Sequence, residues 1–272
     1  MLRKLKYFLQ AEIDPAFAKR AEIIFKIIEK YKPKIILDAG CGRGFYLYGI
    51  SLYKFATEIH GIDINEKYLK IAKNINQDKR VKIKKGTIYK LPYKKNFFDL
   101  VICSEVLEHL KDDKKAIKEL HRVLKPNGKL IITVPNINFP FLWDPINWIL
   151  MHFFNKHINK NIWWLAGIWA DHERLYKKND LKKMIKSTGF EIIKIKEVVH
   201  WCWPFSHLIL YGFGKNLVEK MNLNQFNRLN FKTNKILSRI IAYFFILPSK
   251  VFDEKIKLSN SVNILVLAVK NN

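Results

Sequence analysis

The chain has few cysteines, no long unbroken apolar run and far fewer acids than bases. Only Cys41, Cys103 and Cys202 occur among 272 residues, with no CxxC pair and no zinc-like spacing. That excludes a disulfide-stapled framework and fits a reducing, cytoplasmic setting. The longest apolar candidates, such as 240–247, are too short to span a bilayer, so no transmembrane helix is expected. Residues 1–6 are basic but lead into no long apolar stretch or small-residue cleavage site, so no secretory leader is expected. Against 49 Lys and Arg stand 24 Asp and Glu, a net charge of +25. Such an imbalance suits anionic partners: nucleic acid, an acidic membrane surface or a phosphorylated substrate. A lysine-rich surface that only confers solubility would read the same way.

What is present is 49% apolar residues in a length sufficient for a full α/β domain and something extra. The organising stretch runs from Lys34 to Gly44. An apolar run ends in Asp38, then Gly40, Gly42 and Gly44 alternate before an apolar helical pattern begins. This is how a buried parallel strand reads when it turns sharply into a helix. Glycines there let backbone approach a ligand or pack closely. A second strand ends at Asp63, 19 positions past Gly44, where such a unit places a ribose-binding acid.

Along the chain, Asp14-Pro15 opens a helix to about Tyr31, and Pro33 ends it. Helices are expected at Phe45–Tyr53, after Asn65 (with Tyr68, Leu69 and Ala72 inward), after Asp112 or Asp113 through Leu124, and at Asn179–Ser187. Strands are expected at Val81–Ile83, Phe98–Cys103, Lys129–Val134, Phe190–Val199 and Ser261–Lys270. Strands alternating with helices at this spacing give a parallel, doubly wound sheet. Two irregular pieces, 136–170 and 200–260, interrupt the alternation. With no repeat and no low-complexity linker, residues 1–272 read as one domain carrying two insertions.

These residues resemble the class I S-adenosylmethionine-dependent methyltransferases. The motifs are Leu37-Asp38-Ala39-Gly40-Cys41-Gly42-Arg43-Gly44, Gly61-Ile62-Asp63, Phe98-Asp99-Leu100-Val101, and Val106-Leu107-Glu108-His109-Leu110 followed by Leu124-Lys125-Pro126-Asn127-Gly128. Within that class the chain is most similar to small-molecule O-methyltransferases of the ubiquinone-pathway type. The resemblance implies a Rossmann-like seven-stranded sheet with the last strand antiparallel. It implies S-adenosyl-L-methionine as cofactor. Asp38, Gly40, Cys41, Gly42 and Gly44 would receive its methionine end, Asp63 its ribose hydroxyls, and Ile64, Thr87 and Ile88 its adenine. Ser104 and Val106 would line the methyl-donor pocket. The family often has an acid where this chain has Thr87. A dinucleotide oxidoreductase would want GxGxxG facing a pyrophosphate, and the spacing here is GxGxG.

Methyl transfer to a hydroxyl requires a close acceptor and a base for its proton. His109, after the fourth strand, and His172, where the first insertion rejoins the core, are the candidates. Each could instead hydrogen-bond loop backbone or cap a helix. No metal is assigned, since no cysteine–histidine cluster argues for one, although Glu105, Glu108, His109 and His172 could converge. All seven tryptophans lie between Trp143 and Trp203, outside the cofactor-binding half. The two insertions leave the same sheet edge and are expected to form a joint cap over an apolar or lipid-linked small-molecule acceptor. The amphipathic stretch 234–247, with Ile236, Leu237, Ile240, Ile241 and Phe244 beside Lys235 and Arg239, fits two readings. It lies on an anionic membrane surface, at the inner face, or it packs a second small core. The alternatives are a tRNA or rRNA methyltransferase, against which the absence of an Asn-Pro-Pro-Tyr type of turn speaks, and a non-catalytic cofactor-binding protein.

Overall fold

A computed structural model describes residues 1–162, 164–214, 228–229, 236–253 and 259–271. In chain order the elements are α1 (Arg3–Gln10), α2 (Pro15–Tyr31), β1 (Ile35–Ala39), α3 (Phe45–Ser51), β2 (Glu58–Asp63), α4 (Glu66–Ile75), β3 (Val81–Lys85), β4 (Phe98–Ser104), α5 (Asp113–Val123), β5 (Leu124–Pro135), α6 (Pro145–Phe154), α7 (Lys178–Ser187), β6 (Phe190–Val198), α8 (Ile236–Phe252) and β7 (Asn263–Lys270).

Helix starts follow their capping side chains. The Asp14 carboxylate accepts the Ala16 and Phe17 N–H groups at 2.9 and 3.1 Å, and Pro15 needs no donor there. Asn65 does the same for α4. Of the two acids before α5, Asp112 is the cap, accepting from Lys115 N–H at 2.9 Å.

The sheet order is β3-β2-β1-β4-β5-β7-β6. β1 runs parallel to β2 and β4, and β4 parallel to β5, while β7 is antiparallel to both β5 and β6. Two antiparallel pairings restore β6 to the direction of β5, so both end on the same edge. The chain builds outward from β1 to β3, then returns across to β4. That reversal opens a crevice beyond the carboxyl ends of β1 and β4. An apolar layer flanks each face. One includes Phe25, Ile28, Leu47 and Ile50 from α2 and α3. The other includes Ile117, Leu120, Leu181 and Ile185 from α5 and α7.

Four details differ from the sequence-based expectation. Residues 3–10 are helical. So are residues 145–154, where Asp144 caps α6 through Asn147 N–H at 3.2 Å. The Lys125–Gly128 turn is an irregularity inside β5, which already pairs Leu124 with Phe98 before resuming at Lys129. Tyr68 is 37% exposed, not inward, with Arg43 over its ring.

α8 and α6 reverse the usual rule for surface helices. α8 buries Ser238, Ala242 and Ser249, while Ile236, Leu237, Ile240, Tyr243 and Phe244 are exposed. α6 buries Asn147, while Phe153 is 73% and Phe154 62% exposed. Residues 234 and 235, the first of the amphipathic stretch, and Trp163 lie outside the described residues. No helix among the described residues is long and apolar enough to cross a membrane.

Candidate active site

Asp38 and Asp63 stand near the carboxyl ends of neighbouring strands, one position before and one position after the last β1–β2 pair, Ala39 with Ile62. Asp38 is buried, and its Oδ2 has no hydrogen-bond partner among the described residues. Burial, with the nearby Asp63 charge second, pushes its carboxyl up to about 8. A buried carboxyl held this way lacks a cation. Asp63 instead accepts Gly42 N–H and Asn65 N–H, each at 2.8 Å, one on each oxygen, and keeps lone pairs for further donors. The Gly40 and Cys41 N–H groups both donate to the Ile62 carbonyl, which ties the glycine loop to β2.

Two of the loop glycines do different things. Gly40 has φ +83° and a Cβ there would sit 2.3 Å from Val106 Cγ2, so this position packs the loop against the turn after β4. At Gly42, φ +49°, a Cβ would meet nothing within 4 Å. The loop is therefore open on one side and closed on the other. Ile64 follows Asp63 and is 69% exposed, while Ile88 is buried and Thr87 exposed. A nucleoside fits these features: a diol for Asp63, an ammonium for Asp38, an apolar base for Ile64 and open space at Gly42.

The turn after β4 holds a chain of polar groups of which the sequence reading named only Ser104 and Glu105. Thr133 Oγ1 donates to Glu105 Oε1 at 2.8 Å, so the Ser104 hydroxyl, also 2.8 Å away, donates to Thr133. Tyr46 reaches Ser104 over a longer 3.4 Å. Asn263 Nδ2 donates to the other Glu105 oxygen at 2.9 Å, and Arg20 Nη1 lies 3.8 Å from it. Glu105 is held at φ 55° by this set. Arg20 carried a signal: it is a cation within the apolar stripe of α2, four residues before Ile24.

Three residues on, the structure gathers Glu108, His109 and His172. Glu108 is 0% exposed, neither carboxyl oxygen has a partner among the described residues, and burial raises its affinity for a proton well above the usual range. The His109 and His172 rings lie 4.8 Å apart, centroid to centroid. Burial first, then proximity of His109, lowers the His172 imidazole to about 3. Glu105, the fourth residue expected to converge there, has both oxygens engaged elsewhere.

Segments 136–170 and 200–214 meet beside this site. His207 N–H donates to the Trp143 carbonyl at 3.0 Å, their rings form an edge contact at 5.7 Å, and a Cβ on Gly212 would lie 2.8 Å from the Trp164 carbonyl oxygen. The Tyr211 hydroxyl donates to Asp14, the cap of α2.

Residues 37–132 match the family model described as a methyltransferase domain. These residues run from the start of the glycine motif through most of β5, and contain both acids and the Glu-His turn. Over this stretch the chain is similar to methyltransferase domains. The chain has relatives at modest identity. An uncharacterized protein of Methanocaldococcus jannaschii is 36% identical over 125 residues, 45% of this chain and 50% of that one. The ubiquinone biosynthesis O-methyltransferase of Idiomarina loihiensis is 27% identical over 61% of this chain and 65% of its own length. That of Coxiella burnetii is 34% identical over 40% and 46%. The chain thus spans about half to two thirds of these relatives. An S-adenosylmethionine-dependent methyltransferase structure from Mesorhizobium loti superposes with a TM-score of 0.53 at 17% identity, over 87% of this chain and 90% of the other. The [4+2]-cyclase SpnF superposes with a TM-score of 0.51 at 19% identity, over 87% and 74%. The second is a reminder that this fold does not by itself name the reaction.

Proposed function

We propose that the chain is an enzyme that transfers a methyl group from S-adenosylmethionine to a hydroxyl of an apolar or lipid-linked small molecule. The observation that carries methyl-donor binding is the unpartnered Asp38 oxygen, buried beside a loop with open space at Gly42. Bound S-adenosylmethionine would supply an electrophilic methyl group on a sulfonium. Asp38 would accept from its ammonium and Asp63 from its ribose, both as charge-assisted hydrogen bonds. Cys41, Gly44, Thr87, Ile88, Ser104 and Val106 would complete the walls of this pocket. His109 and His172 are assigned to the reacting oxygen of the acceptor. Segments 136–170 and 200–260 are read as insertions in a single domain, 1–272; residues 163, 215–227, 230–235 and 254–258 of them lie outside the described residues.

The acceptor class is supported by the outward apolar faces of α6 and α8 and by the likeness to ubiquinone-pathway enzymes. A groove of about 690 Å³ between α1, α2 and α8 adds to this: Leu9, Ile236, Ile240 and Tyr243 line it, with Lys6 and Arg239 also on its wall. It shares no lining residue with the crevice, so it suits a tail or an anionic lipid surface better than the reacting group. The test is incubation with methyl-labelled donor and long-chain or polyprenylated phenols in anionic vesicles, alongside the short-chain phenols and tRNA. Label in the lipid-linked phenol ether is expected. Label confined to tRNA, or none in any acceptor despite donor binding, would contradict the assignment.

A further inference from the structure

The groove between α1, α2 and α8 carries more positive charge than its apolar lining calls for. α8 sets Ile236, Ile240, Tyr243 and Ile246 along one wall, at the three- and four-residue spacing of a single helix face. Ile236, Ile240 and Tyr243 are each more than half exposed. Four cations share the lining: Lys6, Lys19, Arg239 and Lys250. Two acids line it as well, but both are committed. Glu12 takes Arg228 on both oxygens, at 2.5 and 2.9 Å, and Glu22 pairs with Lys26 at 2.5 Å. No acid among the described residues pairs with any of the four cations. Arg239 reaches the Gln10 amide oxygen at 3.4 Å, and Lys250 the face of Tyr243. Lys19 also stands in a crowd of like charges. Burial first, then Lys194, Lys26 and Lys19, holds the Lys196 amine below its usual range.

We propose that this groove binds a free long-chain fatty acid, one molecule per chain, with the acyl chain along α8 and the carboxylate at Lys19. A neutral tail would cover Ile236 and Ile240 but leave the cations without an anion. A bilayer surface would meet the cations but not enter a cleft. A single amphiphile does both, and the groove's volume of about 690 Å³ lies within the roughly 300–1,000 Å³ that holds one small ligand. From Ile236 to Ile246 the stripe is about 15 Å long, at the helical rise per residue. Three bonds of an extended chain advance about 3.5 Å, so about 12–14 carbons lie against it. The carboxylate accepts from the Lys19 ammonium in a charge-assisted hydrogen bond and offsets the repulsion among the lysines around it. The groove shares no lining residue with the crevice, so this binding does not depend on the methyl-transfer reading.

The test is isothermal titration of saturated fatty acids of increasing length, each below its micelle concentration, into the delipidated full-length chain. One site per chain is expected. Affinity should rise about two- to fourfold per added methylene and level off at about 12–14 carbons, where the stripe ends. Tetradecanol, which lacks the charge, should bind at least about tenfold more weakly than tetradecanoate. Lys19→Glu should remove that preference. Ile240→Asp, at a residue 63% exposed, should weaken both ligands. No saturable binding in the wild type, equal affinity for acid and alcohol, or an unchanged preference in Lys19→Glu would overturn the site. Binding to anionic vesicles without binding of the monomeric acid would overturn it too, in favour of a bilayer surface. Calorimetric binding of S-adenosylhomocysteine, measured on the same samples, is expected to persist in both variants and reports that they are folded. If it is absent from the wild type while tetradecanoate binds, the methyltransferase reading fails and the groove assignment stands.

Discussion

The cofactor half and the aromatic half of this molecule are incomplete in opposite ways. From β1 to β5 most of the large apolar side chains are inside, and two carboxyls are among the buried polar groups without a partner among the described residues: Asp38 with one unpartnered oxygen and Glu108 with two. In α6 and α8 the fully buried side chains are proline, small or polar ones, while Phe153, Phe154, Ile236, Ile240 and Phe244 are exposed. The first half lacks cations and donors. The second lacks a hydrophobic partner. Lone exposed apolar residues are ordinary, but a helix that buries serine and exposes isoleucine and phenylalanine is not. On the proposed function, the first half would hold a small polar cofactor and the second would face an apolar partner.

The sharpest break in that contrast comes from two glycines two positions apart. Gly40→Ala meets both left-handed backbone and the Val106 side chain, so it should cost about 3 kcal/mol or more of folding stability. Gly42→Ala pays only for left-handed backbone, about 1–2 kcal/mol, and places its methyl in open space. It should fold yet bind S-adenosylhomocysteine at least about tenfold more weakly (about 1.4 kcal/mol). Thermal melts and calorimetry on the two variants distinguish a packed loop from an open one. Equal effects would mean that the loop has no ligand-facing side.

pH gives the next largest effect. Asp38 must be ionised to hold an ammonium, and burial raises its carboxyl to about 8. Affinity for S-adenosylhomocysteine should therefore rise about tenfold per pH unit approaching 8 from below, then level off. Stability of the ligand-free protein responds in the opposite sense. The folded state holds a proton that the unfolded chain releases near the ordinary aspartate value, so this contribution is lost as pH rises through about 8. Affinity flat from pH 6 to 8 would remove Asp38 from the ammonium site.

The smallest expected change in stability lies on the aromatic side. Phe153→Ser, Phe154→Ser and Ile240→Ser should each alter folding free energy by no more than about 0.5 kcal/mol. Combined, they should release the protein from anionic vesicles in a sedimentation assay. If each instead costs several kcal/mol, as core truncations do, α6 and α8 pack within protein and the membrane reading is lost.

The nucleotide half was legible because backbone geometry dictates its residue types. Only glycine is free of strain at φ +83° with Val106 against it, and only an acid at the end of β2 answers Gly42 and Asn65 N–H groups. α6 announced itself with Asp144-Pro145, the same pair that starts α2, but the dense aromatics after it have no clean period. Tyr68 was misjudged because its place on α4 shows spacing alone, while its exposure depends on Arg43 across the loop. The Glu105–Thr133–Asn263 contacts join residues 28 and 158 positions apart, which no local pattern records. His109 and His172, expected from the sequence to be able to converge, have rings 4.8 Å apart in the fold.

The most direct measurement is isothermal titration of S-adenosylhomocysteine into the wild type and Asp63→Ala. One site per wild-type chain is predicted, with Asp63→Ala weaker by about 1.5–3 kcal/mol, the range for lost hydrogen bonds to a charged group. No binding to the wild type, or the same affinity in the variant, would contradict a nucleoside held at the carboxyl edge of this sheet.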